Sequence, residues 1–389
     1  MFSVFDALRK RLIQVLFFFL AMSVAACDPI GFDGPSINTG KPVPVALLVP
    51  GGSENAGDVV LATSLENAAR LAIADLDGVN IDLRVYHTAG QSALAADMAR
   101  KAVNEGAKII LGPVFAESAN AAGLAVAGRN VNVLAFSNNT AVAGGNIFLL
   151  GSTFQNTANR LTSYAASQGK GNILIVHGQD GAQVVGRDAI ARAINQSGGN
   201  LAGMTSFEVS QNGVIDAVPQ IVSDVRSSGA QSVFLTSGTA GALPFLAQLL
   251  PENGLDPTKT QFIGLQRWDI PSSALSLAGL QGGWFAQPDP VLANNFQNRY
   301  FAAYNDSPHP IAGLAYDGIA AIGALVAQGQ SDALTRSALT QSSGFVGVGG
   351  VFRLLPDGTN ERGLAVAQIQ DNQVIVIDPA PRSFGATGF

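Results

Sequence analysis

The sequence predicts an α/β protein of two lobes, each a mainly parallel sheet flanked by helices. Three observations lead there. From Val43 onward, short apolar runs alternate with segments whose apolar residues recur at helical spacing, the pattern of βα units stacked into a parallel sheet. The series runs once over about 43–151 and begins again at Ile173, which favours two lobes over one large sheet. The chain has 389 residues, 47% of them apolar and only 13% charged, enough to build two cores and too apolar for a disordered polymer.

The N-terminus reads as an export signal. Arg9-Lys10-Arg11 form a positive region, Leu12–Met22 an apolar core too short to span a bilayer comfortably, and Val24-Ala25-Ala26-Cys27 a small-residue cleavage site. Those last four residues resemble the lipobox of bacterial lipoproteins. That resemblance implies removal of residues 1–26 and a lipid-anchored Cys27, in the periplasm, on the inner or outer membrane. The alternative is an ordinary secretory signal with an incidental cysteine. Cys27 is the only cysteine of the chain, which excludes internal disulfides and a cysteine-based zinc cage. Residues 27–42, rich in Gly, Pro, Ser and Asn, read as a flexible tether.

The elements follow in order. Val43–Val49 is a buried strand, Leu61–Leu76 a helix, Ile81–Tyr86 a strand and Ser92–Glu105 a helix closed by Gly106. A strand from Ile109 breaks at Gly112-Pro113, a helix covers Ala116–Ala127, a strand begins at Val133, and Ile147–Leu150 is a further short strand. The second series has helices at Thr153–Ser167, Val184–Gln196, Ile215–Ser227 and Leu243–Leu250. Its strands fall at Ile173–Val176, Met204–Val209, Val233–Leu235, Phe262–Leu265 and Gly283–Ala286. Helices return at Val291–Tyr304, Ile311–Ala327 and Asp332–Gln341. Then Gly350–Leu355, Leu364–Ile369 and Val374–Ile377 read as three strands joined by tight turns, before a loose tail at 380–389.

Open α/β sheets bind ligands beyond the carboxyl ends of their strands. Two such ends stand out, Ile109–Ser118 and Val133–Thr140. Each passes from an apolar run into small and polar residues, and the helix from Ala116 aims free N–H groups at the same crevice. Two ordinary βα turns are the alternative. The candidate ligand residues are Ala116, Glu117, Ser118, Ser137, Asn138 and Thr140 in the first series, with Asn139 beside them. In the second they are Ser237 and Trp268, the tryptophan as an aromatic platform after a strand end. Asp317 is read as an exposed carboxylate on a helix, with the interlobe surface as its alternative location.

No GxSxG elbow, HExxH or GxxxxGK[ST] occurs, and no nucleophile–base pair is visible, so no catalytic role is expected. His87, His177 and His309 read as solvated or structural. No metal or cofactor is expected. The net charge of −6, with no basic run beyond the N-terminus, argues against nucleic acid as a partner.

Four stretches carry a family resemblance: GPVFAESANAAGLA followed by VLAFSNNT, GKGNILIVHGQDG, GLAYDGIAAIGALV and GVGGVFRLLPDGTNERG. In this order they resemble the type I periplasmic-binding fold of the leucine/isoleucine/valine-binding family. In detail they are similar to its branch of penicillin-binding-protein activator lipoproteins. The resemblance implies lobe one at 43–151 plus 291–341 and lobe two at 152–290 plus 342–379, joined by multiple hinge crossovers and closing on a small polar ligand by rigid-body rotation. It implies a membrane transporter as partner, or a peptidoglycan synthase in the activator branch. In amino-acid binders of the family a serine and a threonine hold the ligand carboxylate and a glutamate holds its ammonium. Carried onto this chain, those positions are Ala116, Thr140 and Gln266, so only the threonine is kept.

Overall fold

The computed structural model describes residues 34–385. Cys27 and the signal segment lie outside the described residues. So does part of the expected tether, of which the described portion is docked: Ile37 is buried, and its N–H donates to Ser331 O.

Five parallel strands form the first sheet, β1 (Val43–Val49), β2 (Ile81–His87), β3 (Ile109–Leu111), β4 (Asn132–Ala135) and β5 (Ile147–Leu149), in the order β2-β1-β3-β4-β5. Between them run α1 (Ala56–Ala74), α2 (Ser92–Asn104) and α3 (Ala116–Val126). β1 is apolar along its length because both faces are covered: Val45, Leu47 and Val49 face one core, Ala46 and Leu48 the other. α1 starts five residues before the expected Leu61. Asn55 caps it by accepting from Gly57 N at 2.9 Å, and its first turn is exposed at Val59 and Val60, so apolar spacing did not mark the start.

The second sheet has seven strands. β6 (Asn172–Gly178), β7 (Asn200–Phe207), β8 (Ser232–Leu235), β9 (Gln261–Gly264) and β10 (Trp284–Gln287) are parallel. Their helices are α4 (Phe154–Ser167), α5 (Gly181–Gln196), α6 (Gln211–Ser228) and α7 (Leu243–Glu252). The chain then returns to the first lobe, where α8 (Pro290–Tyr304) and α9 (Gly313–Val326) pack Phe296, Tyr300, Ile319 and Ile322 into the core beneath the first sheet.

The C-terminal region departs from expectation. α10 is only Arg336–Leu339, and the end of the chain makes five strands in two sheets. β11 (Phe345–Gly347), β12 (Gly350–Leu354) and β13 (Asn360–Arg362) form a small antiparallel sheet. The Pro356-Asp357-Gly358 turn therefore joins β12 to β13, with Asp357 Oδ1 accepting from Thr359 N at 2.8 Å, and not to the strand from Leu364. Phe345, Phe352 and Leu354 enter the core of the first lobe, to which 342–379 had not been assigned. β14 (Ala365–Gln370) and β15 (Gln373–Asp378) extend the second sheet antiparallel beyond β10. Beyond them Ala380 is buried and Arg353 lies over the Phe384 ring at 4.6 Å, so the described part of 380–389 is packed down.

Three crossovers join the lobes: Leu150–Thr153 after β5, Pro288-Asp289 after β10, and Gly363-Leu364 between β13 and β14. Asn360 ties the first and third together, donating to Leu149 O and Gly151 O at 2.8 and 2.9 Å. Arg160 of α4 clamps the third from the other side through Leu364 O at 2.7 Å.

Candidate functional site

A cleft of about 640 Å³ opens between the lobes, with all three crossovers contributing to its lining. Phe115, Phe136, Ile311 and Leu314 line it from the first lobe, Ile270 and Ala286 from the second, and Val348 and Val351 from the small sheet. Its neutral polar lining includes Ser137, Asn138, Asn139, Thr157 and Gln287; its charged lining is Arg267, Asp317 and Arg362.

The wall after β4 is built by its own side chains. Ser137 Oγ accepts from Asn139 N at 3.2 Å, and Asn139 Oδ1 accepts from Ala141 N at 3.0 Å. These local bonds turn the chain sharply after a buried strand and hold Ser137, Asn138 and Asn139 at the cleft. Beside them Gly112 has φ +87°, and a Cβ there would overlap Leu48 O, which lets β3 turn beside β1.

Asp317 is 2% exposed, so the exposed reading of this carboxylate is corrected. Arg362 binds its Oδ2 at 3.0 Å, and Val348 N donates to Oδ1 at 2.8 Å. Arg362 also donates to Leu150 O through Nε at 3.0 Å and through Nη2, and its guanidinium lies 5.0 Å from the Phe352 ring centre. Burial pushes the Asp317 carboxyl above the ordinary carboxylate range, against the opposing pull of Arg362 and the Val348 N–H. A Cβ at Gly347 would overlap Asp317 Oδ1, so the glycine makes the close approach possible. Arg267 is likewise paired, with Asp269, through Nε–Oδ1 at 2.9 Å and Nη2–Oδ2.

The expected ligand residues divide. Ala116, Ser137 and Asn138 line the cleft, as does Asn139. Thr140 is exposed just past Asn139, and Gln266 is exposed just before Arg267; neither lines the cleft, and Gln266 Nε2 donates to Thr236 O at 3.1 Å. Glu117 points to solvent. Ser118 is on the opposite, buried side of α3, its hydroxyl 3.4 Å from Gly90 O. Ser237 is committed elsewhere: its hydroxyl donates to Gln183 Oε1 at 2.7 Å, which also accepts from Thr236 Oγ1 at 2.8 Å and Gly178 N at 2.9 Å. Trp268 is no ligand platform in this structure. It is fully buried, 6.5 Å from the Phe285 ring, and its Nε1–H has no hydrogen-bond partner. Gly264 and Gly283 make its room, since a Cβ at either would strike the indole.

Sequence reasoning missed Gln287, Arg267 and Arg362, and misplaced Asp317. The legible signal was an aspartate among small and apolar residues in GLAYDGIAA, a helix face that a solvated carboxylate does not need. Among the described residues, no group of three or more His, Cys, Asp and Glu side chains could hold a metal ion, and no helix is long and apolar enough to cross a membrane.

The fold has many solved relatives. A Rhodospirillum rubrum protein assigned as a branched-chain amino acid ABC transporter aligns with a TM-score of 0.74 at 16% identity, over 87% of this chain and 100% of that one. A Desulfitobacterium hafniense ABC transporter substrate-binding protein in complex with leucine aligns at TM-score 0.63 and 15% identity, over 87% and 100%. A Rhodopseudomonas palustris solute-binding protein in complex with 3,4-dihydroxybenzoic acid aligns at TM-score 0.56 and 16% identity, over 89% and 98%. At these identities the likeness establishes the two-lobed type I fold and leaves the ligand to the residues. No curated protein matches the sequence. The family model for periplasmic binding proteins matches residues 42–373; the chain belongs to the periplasmic binding protein family.

Proposed function

We propose that this chain is an extracytoplasmic solute-binding lipoprotein, anchored through Cys27, that traps a small molecule between its lobes and hands it to a membrane transporter or reports its presence. It performs no chemistry on that molecule. The observation that carries this reading is the cleft itself: both lobes wall it, and the crossovers that would act as hinges line it. A thermal-shift screen of the full-length protein against amino acids, neutral metabolites and muropeptides tests it. A ligand at about a hundred times its Kd adds about 2.7 kcal/mol of stability, an easily read shift. Silence across the screen would contradict capture.

A second reading is favoured by one observation. Where the family resemblance implies a hydroxyl and a carboxylate, this chain has Ala116 and Gln266. A binding protein relieved of amino-acid capture could instead dock on a peptidoglycan synthase and stimulate it. Pull-down with the cell's own penicillin-binding proteins distinguishes the two; repeated failure to recover a synthase removes this reading.

A further inference from the structure

We infer that the cleft takes an uncharged, largely apolar molecule carrying an amide, hydroxyl or carbonyl group, and that Gln287 is the side chain that reads that group. The inference rests on the capture reading and narrows it.

The charges come first. Arg267, Asp317 and Arg362 are the charged side chains in the lining, and all are already paired: Arg267 with Asp269, Arg362 with Asp317. Two cations and two anions cancel, and both acids are held by a two-point contact. An ionised ligand group entering this space would lose its hydration and find no unpaired counter-charge. A zwitterion would need two.

The neutral polar groups are arranged differently. Gln287 ends β10, where the chain leaves the second lobe, in register with Ala365 of β14. It lines the cleft at only 6% exposure, and among the described residues no protein group hydrogen-bonds its side-chain amide. The sealed, partnerless side-chain atoms of the described residues are the indole nitrogens of Trp268 and Trp284, so the Gln287 amide is reached from the cleft, and it offers one acceptor and two donors to whatever fills it. Across the space, Ser137 Oγ accepts from Asn139 N, which leaves the hydroxyl proton for a ligand acceptor; the Asn138 side chain is uncommitted. Around these groups the walls are Phe115, Phe136, Ile311 and Leu314.

The test uses the detergent-solubilised full chain and two trios matched in shape: isocaproamide, isocaproate and leucine; indole-3-propionamide, indole-3-propionate and tryptophan. Calorimetry at neutral pH is expected to show each amide binding roughly tenfold or more tighter than its carboxylate and zwitterion. Gln287→Leu is expected to abolish that preference while leaving the melting temperature of the empty protein unchanged or higher. Tightest binding by a carboxylate or zwitterion would overturn the inference and leave capture standing. Binding by no member of either trio would overturn this assignment of ligand class, with the broader screen deciding capture. A Gln287→Leu protein that melts several degrees lower when empty would show that the amide serves the fold, and would overturn its role as reader.

Discussion

Asp317 Oδ2 and an Arg362 guanidinium nitrogen lie 3.0 Å apart in the wall of the cleft, joining the last long helix of the first lobe to the strand that feeds the third crossover. Arg362 also holds Leu150 O at the first crossover. One ion pair thereby fixes a helix and two of the three hinge segments.

Removing one partner of such a pair strands the other charge. Asp317→Leu and Arg362→Met are each expected to cost about 3–5 kcal/mol in urea unfolding, whereas the same two substitutions together should recover most of the loss. Additive losses in the double variant would show that the two side chains act independently.

The polar cluster at the strand ends of the second lobe should behave as structure and not as a ligand site. Gln183→Met leaves Thr236, Ser237 and Gly178 N without their shared acceptor, and is expected to destabilise by about 1–3 kcal/mol with little effect on ligand affinity. Asn138→Ala should do the reverse, shifting stability within about 0.5 kcal/mol while weakening binding. Denaturant melts and calorimetry on the two variants check the contrast.

His309 supplies a pH dependence. Burial holds its imidazole below the ordinary value, so the unfolded chain takes up the proton first as pH falls. The stability linked to this residue is therefore complete above about pH 6.5 and declines as pH drops through the folded value. His309→Gln should flatten that part of the profile of urea midpoints between about pH 7.5 and about pH 5. An unchanged slope would place the effect elsewhere.

Much of the fold was legible because a parallel sheet writes itself locally. VPVALLV, NILIVHG and SVFL are apolar runs buried on both faces, and β4 runs straight into the SNN wall of the cleft. What failed was long-range pairing. β13 is Asn-Glu-Arg, too polar to announce a strand, and it exists because β12 pairs with it across a tight turn. Asp317 finds its partner 45 residues away, so nothing near it in sequence reports its burial. Trp268 follows a strand end as a platform would, but the space that swallows it is made by glycines at 264 and 283. Gln287 carries no local signal: it reaches the cleft wall only because β10 ends there, paired with β14 from the far end of the chain.

Lobe closure is the central claim, and a distance between lobes tests it most directly. Asn120 on α3 and Ala182 on α5 are exposed positions on opposite lobes, suited to spin labels in a Cys27→Ser background. Double electron–electron resonance is expected to give a shorter, narrower distance distribution once a ligand found by calorimetry saturates the protein. A ligand that binds while the distribution stays the same would contradict the account.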